Sequence, residues 1–292
     1  MDRLPRRGAS VSVLYRWAGS KVRILPELMA HLDKGAKYRR WVEPFLGGGS
    51  VALEAMRRGL AREYVIGDSL RPIVDTWQQL QRDPAWLIGE LRQFAALPFA
   101  QQRGRFDAEK PLHARKSIEG LRQLNARRFM ILQACSFNGL WRESAKSGYN
   151  VPFGLETKKG KHSSPHLNFE AMAEAAKLLS ANQVCVLCAD FAETIAPAGE
   201  GDLVYADPPY LGTHSAYSSA GFNCLEHDRL ALALAQAKER GAVCWVSGSD
   251  TSETGSAYCG LWQGVPYELS ARRSIGCKAA SRGVKTELLI RM

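Results

Sequence analysis

The chain has 292 residues, enough to bury a full core in one large domain or two unequal ones. Its hydrophobic content of 46% is ordinary for a globular protein, and no apolar run is long enough to cross a bilayer, so no membrane partner is expected. A formal charge of +10 and a pI near 9.4 point to a polyanionic partner without singling out nucleic acid.

Met1 to Ser10 is short and basic with no apolar stretch behind it, so no secretory signal is expected and the expected compartment is the cytoplasm. The seven cysteines are scattered and odd in number, which fits reduced thiols. Cys185-x-x-Cys188 lies in an apolar run with no second pair to complete a zinc site; it reads as structural, and no metal is expected.

The first distinctive stretch is Leu14-Tyr15-Arg16-Trp17-Ala18-Gly19-Ser20-Lys21, followed by a helical apolar pattern at Ile24, Leu25, Leu28 and Leu32. A glycine turn at a helix start exposes backbone N–H groups, and Lys21 adds positive charge. An anion such as a carboxylate fits there; a solvated lysine at an ordinary helix start fits equally well. Next, Trp41-Val42-Glu43-Pro44-Phe45-Leu46-Gly47-Gly48-Gly49-Ser50 and Val51 to Met56 read as strand, glycine loop and helix. The glycines permit a sharp turn and close approach of a ligand to the backbone. The loop carries neither the dinucleotide nor the P-loop fingerprint. A second strand, Tyr64 to Gly67, ends in Asp68, about 20 residues beyond the loop, where an acid accepts from ribose hydroxyls. Asp68 also suits a helix cap, since Pro72 and an apolar helix follow.

From Asp75 to Ala96 the pattern is helical, then a polar stretch leads to an amphipathic helix from about Ser117 to Ala134. Basic residues concentrate from Arg103 to Lys161, among them Arg115, Arg127, Arg142 and Lys146, with few opposing acids. Such clustering in an insertion favours a phosphate-contacting module over a merely solvated face. The segment Phe137 to Gly154 has Ser147-Gly148 at its middle and reads as a hairpin, whose polar side chains suit a DNA groove.

The α/β rhythm then resumes: helix Phe169 to Leu179, strand Gln183 to Leu187, then Asp190-Phe191 at the strand end. A carboxylate beside an aromatic ring suits an adenine, with a helix cap as the alternative. Asp202-Leu203-Val204-Tyr205-Ala206-Asp207-Pro208-Pro209-Tyr210 follows. Leu203 to Ala206 reads as a buried strand running into a rigid turn, because two prolines forbid a helix there. An acid, a fixed carbonyl and an aromatic ring thus leave a strand's C-terminal edge together, where open α/β sheets bind ligands. A helix Glu226 to Arg240, a strand Val243 to Val246 and a C-terminal strand pair complete the chain.

Asp207-Pro208-Pro209-Tyr210 resembles the catalytic motif of amino-methyltransferases. In order along nearly the whole chain, the pieces resemble the DNA adenine methyltransferase (Dam) family, of the alpha group of these enzymes. The resemblance rests on Trp17-Ala18-Gly19-Ser20-Lys21, Glu43 to Ser50, Asp68, Asn138-Gly139-Leu140, Arg142, Asn150 to Gly154, Asp207 to Tyr210, and Arg272 to Ile275 with Glu287-Leu288-Leu289. It departs at the hairpin, where Glu143-Ser144 stands in place of an aromatic-Asn pair carried by GATC-reading members, and at Ser247-Gly248-Ser249-Asp250. The first departure bears on which bases are read.

The resemblance implies an α/β fold, a Rossmann-like methyltransferase sheet (residues 1–74 and 166–292) with an inserted, mainly helical recognition domain carrying a hairpin (75–165). It implies transfer of a methyl group from S-adenosylmethionine to N6 of a flipped-out adenine in double-stranded DNA, at GATC or a related short site. Asp207, Pro208, Pro209 and Tyr210 are the expected catalytic residues. The expected cofactor residues are Tyr15, Trp17, Gly19, Lys21, Glu43, Pro44, Phe45, Gly47, Gly49, Ser50, Asp68, Asp190, Phe191 and Asp207. The expected DNA contacts are Arg115, Arg127, Asn138, Arg142, Lys146, Asn150 and Pro152. A monomer is expected, with a restriction endonuclease as a candidate partner. Methylation of an RNA or protein amide, or DNA binding without catalysis, are the alternatives.

Overall fold

A computed structural model describes residues 12–33, 35, 37–113, 121–144, 148–156, 160–210, 222–249, 266–273 and 283–292. The chain opens with α1 (Leu25–Leu32), whose Leu25, Leu28, Met29 and Leu32 form one buried stripe. Strand β1 (Tyr38–Glu43), helix α2 (Ser50–Arg58), strand β2 (Ala61–Asp68) and helix α3 (Arg71–Arg82) follow. After an insertion, α7 (Phe169–Ala181), β5 (Gln183–Cys188), α8 (Phe191–Ile195), β6 (Leu203–Ala206), α9 (Cys224–Glu239), β7 (Val243–Ser249), β8 (Tyr267–Arg273) and β9 (Gly283–Arg291) complete the order.

The seven strands lie in the order β5-β2-β1-β6-β7-β9-β8. The first five run parallel, and β9 pairs antiparallel with both β7 and β8. Every residue of β6 is buried, the apolar run expected of a parallel strand covered on both faces. Successive side chains alternate between those faces. Trp41, Leu203 and Tyr205 enter one core, with α1, α2, α3 and α7; Val42, Val204 and Ala206 enter the other, with α8 and α9. The α/β expectation holds: a mostly parallel seven-stranded sheet covered by helices on both faces.

The insertion consists of α4 (Pro84–Ala95), α5 (Phe99–His113), α6 (Arg122–Cys135), a 3-10 turn at Phe137–Gly139 and the short antiparallel pair β3 (Glu143–Ser144) and β4 (Gly148–Tyr149). The expected hairpin is present as this antiparallel pair; residues 145–147 lie outside the described residues. The insertion's aromatic side chains Phe106, Phe129, Trp141 and Tyr149 join the same core as Tyr15 and Trp77. Helix α5 occupies the stretch that reads as merely polar. It buries Phe106, Gln102 and Glu109, and Gln102 bonds the carbonyls of Ala95 and Leu97, so polar side chains replace the apolar stripe that would have revealed it.

No described helix is long and apolar enough to cross a membrane. The five described cysteines form no disulfide among themselves.

Candidate active site

The strand order brings four acids to one edge. Glu43 ends β1, Asp68 ends β2, Asp190 follows β5 and Asp207 follows β6, all at carboxyl ends of neighbouring parallel strands. Prolines at 44 and 208 stop the ladder immediately beyond, which frees the chain to turn there.

Asp207 is the centre of one cluster. Its Oδ2 accepts from Lys21 Nζ at 2.6 Å, while its buried Oδ1 has no hydrogen-bond partner among the described residues. Lys21 is only 2% exposed, donates also to the Gly19 carbonyl at 2.8 Å, and lies 3.7 Å from Glu287 Oε2. The lysine read from sequence as an anion site is thus the counter-ion of the catalytic-motif acid. Tyr210 donates its hydroxyl to Glu287 Oε2 at 3.2 Å, and Lys21 Nζ sits 5.1 Å from its ring centre. Tyr205, on the same strand face as Asp207, shares a 2.7 Å hydrogen bond with Ser247 on β7. Burial raises the Asp207 carboxyl above its ordinary range; Lys21 opposes this and Glu287 adds to it. Burial pushes Glu43 up to about 8, against a 3.0 Å hydrogen bond from Trp41 Nε1. Glu43 is therefore protonated at neutral pH.

The turn itself is held from behind. His227, buried in the first turn of α9, places Nε2 3.1 Å from the Pro209 carbonyl oxygen. Burial lowers its basicity, and because a carbonyl oxygen only accepts, Nε2 is the donor.

A second cluster surrounds the glycine loop. Asp68 accepts from Gly47 N and from Leu70 N, both at 2.9 Å, and burial raises its carboxyl to about 6 despite those donors. Tyr15 donates to the Gly47 carbonyl at 2.8 Å. Gly47 and Gly49 have φ of +46° and +67°, and Gly49 caps α2, of which Ser50 is the first residue. A Cβ on Gly47 would meet Trp17 and one on Gly49 would meet Trp77. The glycines thus make room for tryptophans of the chain itself as well as for a sharp turn.

The third cluster is aromatic. Phe45 and Phe191 stack at 5.4 Å, with Phe222 edge-on to both. Asp190 caps α8 by accepting from Ala192 N at 2.9 Å and pairs with Arg229 at 3.0 Å, so the cap foreseen as an alternative is realised.

Among the expected DNA contacts, Arg142 donates to Asn150 Oδ1 at 2.5 Å across the ribbon, and both belong to its exposed side. Asn138 adopts φ +55° in the 3-10 turn beside Phe137, which is 46% exposed. The Pro152 carbonyl accepts from Phe137 N at 3.0 Å and closes the ribbon base. Arg127 differs from expectation. It pairs with Glu90 at 2.9 Å and lies 3.8 Å from Glu109, between helices, so the structure engages it in the scaffold. Arg115 and Lys146 lie outside the described residues.

Sequence reasoning named Lys21, Glu43, Asp207 and Tyr210 but assigned no role to Glu287, Ser247, His227, Phe222 or Arg229. Glu287 stood within a quoted motif; a lone His in a helix turn carries no spacing signal.

A parallel sheet with a glycine loop, an acid ending the next strand and a strand-terminal Asp-Pro-Pro-Tyr defines the class of amine-directed methyltransferases. The family model for D12 class N6 adenine-specific DNA methyltransferases matches residues 17–274, and the chain belongs to that family. It is 29% identical to a DNA adenine methylase of Vibrio cholerae, with 94% of this chain and 93% of that protein aligned. It is 30% identical to the DNA N-6-adenine-methyltransferase of Escherichia phage P1, over 94% of this chain and 35% of that protein. The Type II methyltransferase M1.LlaDCHI of Lactococcus lactis subsp. cremoris is 25% identical over 99% of this chain and 98% of its own length.

Proposed function

We propose that the chain methylates N6 of an adenine flipped out of duplex DNA, with Asp207 accepting a hydrogen bond from the amine. The observation that carries this is the buried, unpartnered Asp207 Oδ1 beside an Oδ2 already neutralised by Lys21. An acceptor with these properties suits an exocyclic N–H, and the Pro208 carbonyl supplies a second acceptor on the same rigid turn. The two acceptors draw density toward a nitrogen whose lone pair is otherwise delocalised into the ring. Flipping is required because a stacked base does not reach such a pocket.

The residues fit S-adenosylmethionine as donor: the acids of the sheet edge suit ribose hydroxyls and a sulfonium, and the three-Phe cluster suits an adenine. When bound, it supplies a methyl group already activated on sulfur. Asp68 and the Gly47 loop would hold the ribose side, and Glu43 with Lys21 would face the methionine side. Positioning by the chain's own residues then accounts for the rate.

Residues 75–165 serve as the recognition unit, with Arg142 and Asn150 on the ribbon nearest the bases. The chain acts as a cytoplasmic monomer. The Lactococcus relative's Type II name supports pairing with a restriction endonuclease.

The test is transfer from labelled S-adenosylmethionine to unmethylated genomic DNA, with modified positions read by single-molecule sequencing. N6-methyladenine at one short motif is expected. Asp207→Ala is expected to lose about 100-fold or more in turnover while still binding cofactor. Near-normal turnover in that variant sinks the assignment of Asp207.

A further inference from the structure

Glu287 is a carboxylate 6% exposed, carried by β9 inside the sheet. A carboxylate this deep is retained when its oxygens are engaged. One oxygen, Oε2, does two things: it accepts from the Tyr210 hydroxyl at 3.2 Å and lies 3.7 Å from Lys21 Nζ. Tyr210 and Lys21 are the two groups that flank Asp207.

We propose that Glu287 is a positioning residue for methyl transfer, holding Lys21 and the Tyr210 hydroxyl so that one Asp207 oxygen is neutralised and the other stays open to the substrate amine. The proposal deepens the reading of Asp207 above and rests on it.

The geometry gives the reason. Lys21 has three N–H donors. One meets Asp207 Oδ2 at 2.6 Å and one the Gly19 carbonyl at 2.8 Å, while the charge of Glu287 holds Nζ from the far side. Without that charge, Lys21 is drawn onto both Asp207 oxygens, and Oδ1 closes. The Tyr210 hydroxyl, which already bears on Asp207 as well as on Glu287, loses its Glu287 acceptor and turns wholly to the Asp207 carboxylate. Among the described residues, the charged and titratable groups that bear on Asp207 are Lys21 before α1, Glu43 ending β1, Tyr205 on β6, Tyr210 on the turn and Glu287 on β9. Of these, Glu287 and Glu43 are the other carboxyls, and Glu43 is protonated at neutral pH.

The experiment compares wild type with Glu287→Gln, which keeps shape and an acceptor oxygen but removes charge. Turnover on duplex DNA is measured across pH, and cofactor affinity by calorimetry. The Gln variant is expected to lose on the order of 10- to 100-fold in kcat, with cofactor affinity kept within about threefold. The acid limb of its pH profile is expected to move to lower pH, because Asp207 has lost a negative neighbour. A side chain that merely supports the fold does not move that limb. Turnover within about twofold of wild type, or a loss with an unmoved limb, overturns the proposal. Should the Gln variant not fold, Glu287→Asp keeps the charge but draws it back from Lys21 Nζ and the Tyr210 hydroxyl. It is expected to cut kcat about tenfold with cofactor binding intact, and a wild-type kcat overturns the proposal. A wild type that transfers no methyl group to DNA overturns the Asp207 reading beneath it; an active wild type with an unaffected Gln variant overturns Glu287 alone.

Discussion

A methyl group added at Gly49 would lie 2.2 Å from the Trp77 ring, in a backbone already at φ +67°. At Gly59, with a similar φ of +64°, the same methyl meets nothing within 4 Å. The pair separates backbone strain from collision. Gly59→Ala is expected to cost about 1–2 kcal/mol from the left-handed backbone alone. Gly49→Ala adds overpacking and is expected to reach roughly 2–5 kcal/mol, read from denaturant midpoints. Cofactor affinity should fall only in the Gly49 variant, since only that residue shapes the loop beneath Asp68. Glu43 gives a pH prediction. Its folded carboxyl is raised from 4.5 to about 8 by burial, so between those values the folded state holds a proton that the unfolded chain has released. Stability from this group is complete below about 4.5 and declines as pH rises toward 8, by no more than about 1.4 kcal/mol per pH unit. Glu43→Gln is expected to flatten that decline in urea titrations at several pH values; an unchanged slope would remove Glu43 as its source.

At the scale of elements, α9 links a helix start to the catalytic turn. Asn223 caps it by accepting from Glu226 N at 3.2 Å, and His227 reaches the Pro209 carbonyl from the first turn. Asn223→Ala is expected to cost about 1 kcal/mol and fray that turn. Because fraying loosens the hold on Pro209, kcat should fall with cofactor affinity unchanged; a stability loss without a kcat loss would uncouple the two. Strands and helices with a plain apolar pattern, such as the continuous run of β6 and the stripe of α1, are legible in the sequence. Helix α5 is not, because Gln102 and Glu109 occupy buried positions where periodicity requires apolar residues. The site divides the same way. Acids at strand ends could be read because a strand end and a following turn are local features. Lys21 could be found but not paired, since its partner lies 186 residues away. Glu287 and His227 act only through contacts that the topology creates.

Across the whole molecule, the β3–β4 ribbon and the Asp207 cluster are joined by a buried side chain. Gln133, buried on α6, donates from Nε2 to the Arg16 carbonyl and to the Gly139 carbonyl, the latter at 2.9 Å. Gly139 ends the 3-10 turn at the ribbon base, and a Cβ there would lie 2.5 Å from Arg16 Cβ, so the two segments touch. Arg16 begins the Arg16–Lys21 stretch whose last residue neutralises Asp207. If the ribbon contacts DNA, a shift there has a short, packed path to the Lys21 ion pair. Gln133→Met keeps the volume and removes the donor to both carbonyls. The expected cost is about 1–3 kcal/mol for the carbonyls left unpaired, reduced because the Gln133 Oε1, itself unpartnered among the described residues, is removed as well. The informative readout is kinetic. If the bridge transmits DNA engagement, kcat on cognate duplex falls more than cofactor affinity does, and discrimination between cognate and single-mismatch duplexes narrows. If it only braces the fold, both duplexes lose turnover in equal proportion. Single-turnover rates on the two duplexes, taken well below the unfolding temperature of the variant, separate these outcomes.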